Sequence, residues 1–186
     1  SRLKARYGSP EVLDLKDLFF PAGQVTALVG PNGAGKTTLA RTLCGLHPQE
    51  KGSAVLLDGV ELSSKQRLRR SFLVMQDVHR QLFSDSAADE VGDHSLLAQV
   101  DLSEVAERHP QSLSGGQKQR LVIATALGRD TDVFFFDEPP SGVDYRHLVS
   151  ISAQLRELAA EGKVAVVILS LIHISEPTRR VVRAYA

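Results

Sequence analysis

GPNGAGKTT, at residues 30–38, matches the pattern G-x-x-x-x-G-K-[ST] and stands between two segments of different periodicity. The preceding run, 24–29, is β-branched and apolar like a buried strand, whereas 38–46 carries apolar residues at helical spacing. Such a strand, turn and helix are the context that the pattern requires. The glycines let backbone N–H groups surround a phosphate, and the helix N-terminus favours the anion. The motif therefore predicts a nucleotide site.

Lys36 and Thr37 carry the charge and the metal chemistry expected of this motif. The Lys36 ammonium supplies a full positive charge, and the Thr37 hydroxyl can reach magnesium. A chance match is the alternative, but a chain of this length shows the pattern by accident in roughly one case in a hundred or fewer. We expect the nucleotide to contact Asn32, Gly33, Gly35, Lys36, Thr37 and Thr38.

The composition limits the class of protein. A chain of 186 residues forms one domain, or one with a small insertion. Lys and Arg together number 22, as do Asp and Glu together, so the formal net charge is zero. The net charge therefore does not draw the chain to nucleic acid or to an anionic membrane. The only cysteine, Cys44, excludes a disulfide scaffold. No apolar run approaches the ~20 residues of a spanning helix, so we expect a soluble, cytoplasmic chain that can dock on a membrane protein.

A fully apolar run at 133–136 ends in two carboxylates, Asp137 and Glu138. Asp137, at the tip of the predicted strand, can hold magnesium opposite Thr37, directly or through water. Glu138 can orient or deprotonate the water that attacks a γ-phosphate. The alternative is two acids that merely start a solvated turn, which fits poorly after four apolar residues in a chain with a phosphate loop.

A second predicted helix start has features of an anion site. The sequence LSGGQ at 113–117 precedes a run with one apolar stripe. Ser114 is well placed as N-cap, while Gly115 and Gly116 leave the first N–H groups of the helix bare. A helix with a flexible lead-in is the alternative. Two helix N-termini that attract phosphate in one chain suggest a shared ligand.

The remaining segments predict an α/β fold, because alternating strands and helices form a mostly parallel sheet with helices on both sides. Residues 1–20 are expected to form two N-terminal antiparallel strands, and 53–57 another strand. The charged run 62–70 is either a solvated helix or a phosphate or lipid patch. The segment at about 84–128 is predicted to be a small helical insertion subdomain.

Two single residues have open interpretations. Gln76 follows a short apolar strand at 71–75, and ligands gather at the carboxyl ends of such strands, so it can reach the metal of the nucleotide or its water. An ordinary polar residue at a strand end is the alternative. Tyr7, an isolated aromatic residue before a turn, either packs or stacks on a nucleotide base.

The order of these motifs over residues 7–169 resembles the ATPase subunit of ABC transporters, with LSGGQ as the most diagnostic element. The resemblance implies a P-loop NTPase fold that uses ATP and Mg²⁺. It implies stacking on adenine by Tyr7, a D-loop at 141–144, and hydrolysis by Glu138 with Gln76. It implies further that magnesium meets Thr37, Gln76 and Asp137, and that nucleotide meets Ser114, Gly115, Gly116 and Gln117.

The resemblance also implies partners. The family works as a dimer, with ATP between the phosphate loop of one subunit (here 30–38) and the signature sequence of the other (here LSGGQ, 113–117). Hydrolysis lets the pair reopen. We therefore expect a second ATP-binding subunit, identical or paralogous, and transmembrane transporter subunits at the cytoplasmic face of the cell membrane. Nucleic acid is not an expected partner.

A narrower resemblance is to the energy-coupling factor importers of vitamins and cobalt, in the local sequences at 74–83 and 107–110. Leu82 and Phe83 are expected either to contact a coupling helix of a membrane subunit or to cap the core of the helical insertion. Two departures stand out. Pro140 occupies a position where the family usually has Thr, and the family's His after Ser170 is missing, since the nearest is His173.

An artefact of sequencing can explain why the C-terminal segment departs from the family's pattern after Ser170. Residues 169–179 resemble the in-frame translation of a sequencing-library adapter. We therefore predict an ABC-type ATP-binding domain at 1–170 and a non-native tail at 171–186. If the tail is native, the displaced His predicts impaired hydrolysis.

Three functions are compatible with the sequence. The first is the energising ATPase of a membrane importer. The second is a soluble ABC ATPase of DNA repair or translation, although such chains usually carry two domains with long insertions. The third is a truncated, non-catalytic copy, which the missing His favours.

Overall fold

The computed structural model describes residues 2–6, 11–16, 18–49, 53–137, 153, 155–170 and 181–183, the first two and the last of these ranges by their backbone only. The described strands are β1 (Arg2–Arg6), β2 (Glu11–Lys16), β3 (Val25–Gly30), β4 (Leu56–Leu57), β5 (Val60–Glu61), β6 (Ser71–Val74), β7 (Val133–Asp137), β8 (Val164–Ser170) and β9 (Val181–Arg183). The described α-helices are α1 (Lys36–Leu43), α2 (Ser64–Arg70), α3 (Ala87–Val91), α4 (His94–Gln99) and α5 (Gly115–Leu127), and residues 155–160 are helical as well.

Five strands form the central sheet in the order β6-β7-β8-β3-β9, and each neighbouring pair is parallel. The register is fixed along the sheet: Asp137 of β7 pairs with Ile168 of β8, which pairs with Leu28 of β3. At the ends of the latter two strands, Gly30 pairs with Ser170. The carboxyl ends of β3, β7 and β8 therefore lie at one edge of the sheet.

Both faces of this sheet are buried, which accounts for the continuous apolar run in β7. Phe134 and Phe136 belong to the apolar cluster that contains α5, whereas Phe135 belongs to the cluster that contains α1. Because side chains alternate along a strand, α1 and α5 cover opposite faces. The predicted fold class, a mostly parallel sheet flanked by helices with N-terminal antiparallel strands, is confirmed.

Several local predictions differ from the structure in extent. The strand predicted at 53–57 is confined to β4, which pairs with β5 across Asp58 and Gly59, both at positive φ as this tight turn requires. The helix predicted over 38–46 is α1, which starts earlier and ends earlier. It ends at Leu43 because Gly45, with a φ of +81°, leaves the helical conformation just after the C-cap Cys44. Glycine is required there, since a Cβ would clash with the Ser64 carbonyl oxygen.

The charged run before β6 forms a helix, as one of the two interpretations predicts. A capping box of Ser63 and Gln66 starts α2. Within it Arg67 is buried and donates to the Leu62 carbonyl oxygen at 3.0 Å, so this arginine belongs to the core and not to a surface patch.

The α1 face also contains the single cysteine. Cys44 is buried, and burial raises the pKa of its thiol to about 11. Among the helices that the structure describes, none combines the length and the apolar character needed to cross a membrane.

The short strand β9 lies within the segment predicted to be a non-native tail. Its backbone pairs in parallel with β3, Leu28 opposite Val182. A β-prone segment of any origin can pair with an edge strand. The origin of residues 171–186 and the domain boundary at 170 stay predictions.

We expect Phe134→Ala to lower the free energy of unfolding by about 3–5 kcal/mol, because the ring is fully buried between β7 and α5. Urea unfolding followed by circular dichroism measures this change. Phe19→Ala is the matched control, since Phe19 is 73% exposed, and a change within about 0.5 kcal/mol is expected there. Equal losses in the two variants would show that Phe134 is not a core residue.

Candidate nucleotide-binding site

The loop between β3 and α1 has the backbone of a phosphate cradle. Gly33 and Gly35 adopt φ angles of +82° and +79°, which residues with a side chain rarely reach. Gly35 is the N-cap of α1, and because it has no side chain, no cap hydrogen bond occupies the first N–H groups of the helix. A Cβ added at Gly33 would meet no atom within 4 Å, so this side of the loop faces open space. The cradle fits an anion such as a phosphate at the N-terminus of α1.

The Lys36 ammonium lies over the same loop. Its Nζ atom donates to the carbonyl oxygens of Gly30 and Pro31, at 2.9 Å each, and the side chain is 5% exposed. Two carbonyl groups therefore hold the cation beside the cradle, where a phosphate would pair with it. The role of Lys36 as the positive charge for a phosphate stays a prediction.

Asn32 is connected to the far end of the chain by a contact that the motif does not predict. The Ser170 hydroxyl, buried at the end of β8, donates to Asn32 Oδ1. Ser170 therefore helps to fix the side of the loop that carries Asn32. The local sequence gives no signal for this pair, because the two residues are 138 positions apart.

Asp137 and Thr37 face the same side of the sheet. Asp137 is 5% exposed, and by strand alternation it shares the face of Phe135, which packs in the cluster of α1. Thr37 lies in the first turn of α1, with Thr38 next to it and both of them partly buried. The carboxylate and the hydroxyl are thus on one face at the carboxyl edge.

Gln76 extends this edge, since it lies two residues beyond the end of β6 and is exposed. Val74 of β6 pairs with Phe136, the neighbour of Asp137, which places the Gln76 loop beside the Asp137 end of β7. A hydroxyl, an amide and one carboxylate are oxygen ligands that suit Mg²⁺, which proteins usually hold with one or two carboxylates plus phosphates. In the described ranges no three His, Cys, Asp or Glu residues cluster to hold a metal without a nucleotide.

The signature sequence starts α5, and Ser114 is its N-cap, as predicted. Ser114 Oγ accepts from the Gln117 N–H at 3.3 Å, and Gln117 Oε1 accepts from the Ser114 N–H at 2.9 Å. This capping box uses two of the N–H groups. An anion would therefore meet the N–H groups of Gly115 and Gly116, which the capping box does not use.

The two helix starts do not serve one site within the chain. Because α1 and α5 cover opposite faces, their axes are separated by the sheet and lie on the order of 20 Å apart. A single phosphate group cannot contact both N-termini at that separation. The structure brings together the phosphate loop, Asp137 and the Gln76 loop, and it places Ser114 to Gln117 elsewhere.

Several predicted residues lie outside the described ranges. These are Tyr7, Glu138, Pro140, the proposed D-loop at 141–144, and His173. Their roles stay predictions.

A strand, a glycine-rich loop and a helix that carries a buried lysine, at the carboxyl edge of a parallel sheet, define a P-loop nucleotide-binding domain. The family described as "ABC transporter" matches residues 13–141, which is most of the chain. The chain belongs to this family, and its domain is an ATP-binding domain.

Similar proteins cover this chain well but are longer than it is. A putative ABC transporter ATP-binding protein of Treponema denticola is 45% identical over 166 residues, which cover 83% of this chain and 34% of the relative. The hemin import ATP-binding protein HmuV of Thermobifida fusca is 35% identical and covers 90% of this chain and 66% of its own length. The chain thus spans about a third to two thirds of these relatives.

Solved structures agree on the fold. A bacterial Atm1-family ABC exporter with ATP bound has a TM-score of 0.83 at 23% identity, covering 98% of this chain and 36% of its own. The structure of cbiO1 from Clostridium perfringens, part of the ABC transporter complex cbiONQ, has a TM-score of 0.72 at 24% identity, covering 90% and 75%. Both likenesses show the ABC ATPase fold.

We expect Ser170→Ala to weaken ATP binding by about 2- to 10-fold, because the hydroxyl that fixes Asn32 is lost. Titration with a fluorescent ATP analogue measures the dissociation constant. Ser71→Ala is the matched control: its hydroxyl donates to the Arg67 carbonyl oxygen at 2.7 Å, at the opposite edge of the sheet. A Ser170→Ala affinity equal to that of the control would exclude a role for this contact.

Proposed function

We propose that this chain binds and hydrolyses ATP at the interface of two such domains and thereby drives transport by a membrane importer. The observation that carries the proposal is the placement of α1 and α5 on opposite faces of the sheet. Each helix start suits phosphate, yet one chain cannot bring them to the same nucleotide. Two chains arranged head to tail can, because each then offers its phosphate loop to the other's signature.

The signature glycines support an external ligand. Gly115 and Gly116 have no positive φ, and a Cβ at either would meet nothing within 4 Å. Neither the backbone nor the packing of this chain requires glycine at these positions, and alanine is the better helix former. Their lack of side chains instead lets another molecule approach the N–H groups of the helix.

Within this dimer the residues divide the chemistry. The cradle at Gly33 and Gly35 would bind the β- and γ-phosphates with the Lys36 ammonium. Thr37, Gln76 and Asp137 would hold Mg²⁺, which supplies charge neutralisation on the phosphates when it is bound. Glu138 and Gln76 would orient the attacking water.

The importer assignment has support from relatives and from one exposed side chain. HmuV is a hemin import protein by name, and CysA of Burkholderia mallei, 35% identical over 84% of this chain and 50% of its own length, is a sulfate/thiosulfate import protein. We propose an importer of the energy-coupling factor type, for a vitamin or a metal ion, because the sequence at residues 74–83 resembles that of such importers. The chain would then sit at the cytoplasmic face of the cell membrane.

Leu82 and Phe83, the residues expected to contact a membrane subunit or to cap the core, have different environments. Leu82 is 2% exposed and packs in the core, whereas Phe83 is 80% exposed. The backbone N–H groups of Phe83 and Ser84 donate to Glu90 Oε2 at 2.8 and 2.9 Å, so α3 holds the loop that presents the ring. We propose Phe83 as the apolar contact for a transmembrane subunit.

We expect Glu138→Gln to abolish ATP hydrolysis and to trap an ATP-bound dimer, because bound γ-phosphate would continue to hold the partner's signature. Light scattering after size exclusion measures the mass with and without ATP. Adding Gly116→Asp is expected to abolish the dimer without changing the ATP affinity of the monomer, because the carboxylate would repel the partner's phosphate while this chain has room for it.

Ser103→Asp is the control for that added charge, since Ser103 is exposed and belongs to a separate helical turn earlier in the chain. The control variant should still dimerise in the Glu138→Gln background. An ATP-bound monomer at every concentration, or a dimer that tolerates Gly116→Asp, contradicts the proposed interface.

We expect Phe83→Ala to weaken binding to the transmembrane subunits by about tenfold or more, as exposed aromatic anchors often do, and to leave ATP affinity unchanged. Co-purification with detergent-solubilised transmembrane subunits provides the measurement. Phe19→Ala removes a ring of similar exposure outside the helical insertion and should have no effect. Equal capture of both variants would assign docking to another surface.

A further inference from the structure

The end of β6 is held by a side chain from outside the sheet. Gln81 Oε1 accepts from the Met75 N–H at 2.7 Å, and Gln81 Nε2 donates to the Leu73 carbonyl oxygen at 2.6 Å. In the described part of the sheet β6 is the edge strand, so this side of it has no neighbouring strand. The amide of Gln81 therefore supplies the donor and the acceptor that a further strand would supply.

The position of these two bonds matters for Gln76. They hold the backbone at Leu73 and at Met75, the residue directly before Gln76. The loop between Met75 and Gln81 is thus closed by a side chain at its own far end. Because the Met75 N–H is fixed, the starting point of the Gln76 backbone at the carboxyl edge is fixed as well.

The other side of this loop belongs to the helical insertion. Gln111 Nε2 donates to the carbonyl oxygens of His79 and Leu82, at 3.2 and 3.1 Å. Lys118 of α5, which is 5% exposed, places Nζ 3.1 Å from His79 Nδ1. The turn that precedes Gln81 is therefore tied to the segment around the signature helix, while Gln81 itself is tied to the sheet.

We propose that Gln81 is a positioning residue for Gln76. Its amide holds the backbone of Leu73 and Met75 directly before Gln76, and thereby sets where the Gln76 side chain lies relative to Asp137. The inference rests on the proposed function in that it takes Gln76 to act at the magnesium nucleotide. Gln81 itself touches neither nucleotide nor metal in this scheme.

Gln81→Leu removes both hydrogen bonds at nearly constant volume, and Gln81→Glu keeps an acceptor for the Met75 N–H but loses the donor to Leu73. The second variant preserves the test if the first fails to fold. Gln66→Leu is the matched control: Gln66 Oε1 also accepts a backbone N–H, that of Ser63 at 2.9 Å, but on α2. Gln66→Leu thus also removes a hydrogen bond between a glutamine side chain and a backbone N–H, but at a position far from β6 in the sequence.

The first measurement is hydrogen exchange of the Met75 amide in the absence of nucleotide. We expect exchange about tenfold faster or more in Gln81→Leu and no change at Met75 in Gln66→Leu. The second is the Mg²⁺ midpoint, the Mg²⁺ concentration at which the affinity for a fluorescent ATP analogue reaches half of its value at saturating Mg²⁺. We expect it to rise about 3- to 10-fold in Gln81→Leu, and to rise less in Gln81→Glu.

A purely structural clamp would speed exchange and lower the melting temperature but leave the Mg²⁺ midpoint at the wild-type value. That result overturns the positioning role, as does Met75 exchange that is unchanged in both Gln81 variants. Failure of the proposed function is distinct. In that case the wild-type chain neither hydrolyses ATP nor dimerises, while the exchange and the Mg²⁺ midpoint still respond to Gln81.

Discussion

Because β3, β8 and β7 run parallel in a fixed register, the phosphate loop, Ser170 and Asp137 meet at one edge of the sheet. The register is held by apolar side chains that are buried on both faces, and a slip by one residue would move each of them to the opposite face. Phe134 and Phe135, on successive positions, pack against different helices. The geometry of the phosphate site thus depends on core packing.

Contacts within the chain hold the phosphate loop at several points. Lys36 donates to two carbonyl groups of the loop, and Ser170 holds Asn32 from the neighbouring strand. A loop fixed in this way places its N–H groups at a small further cost in conformational entropy when phosphate arrives. The same contacts position the ammonium next to the N-terminus of α1.

The helical insertion presents a second helix N-terminus at the surface of the domain. Its helix α5 packs on the face opposite to α1, and its start carries exposed glycines that this chain does not need for its own fold. Gln111 and Lys118 connect the insertion to His79, in the turn before Gln81, and Gln81 connects that turn to β6. Under the proposed function, this path joins the partner's nucleotide at α5 with the nucleotide at this chain's own sheet edge.

The sequence by itself determined the local features: the phosphate loop, the Ser114 cap, the buried strand that ends in Asp137, and the alternation that defines the α/β class. Each follows from residue types within a few positions of one another. Only the tertiary structure decided that α1 and α5 lie on opposite faces, that Ser170 holds Asn32 across 138 residues, and that Gln81 completes the edge of β6. These contacts depend on strand order and register, which local periodicity does not encode, since the same pattern of apolar residues fits several orders of the strands.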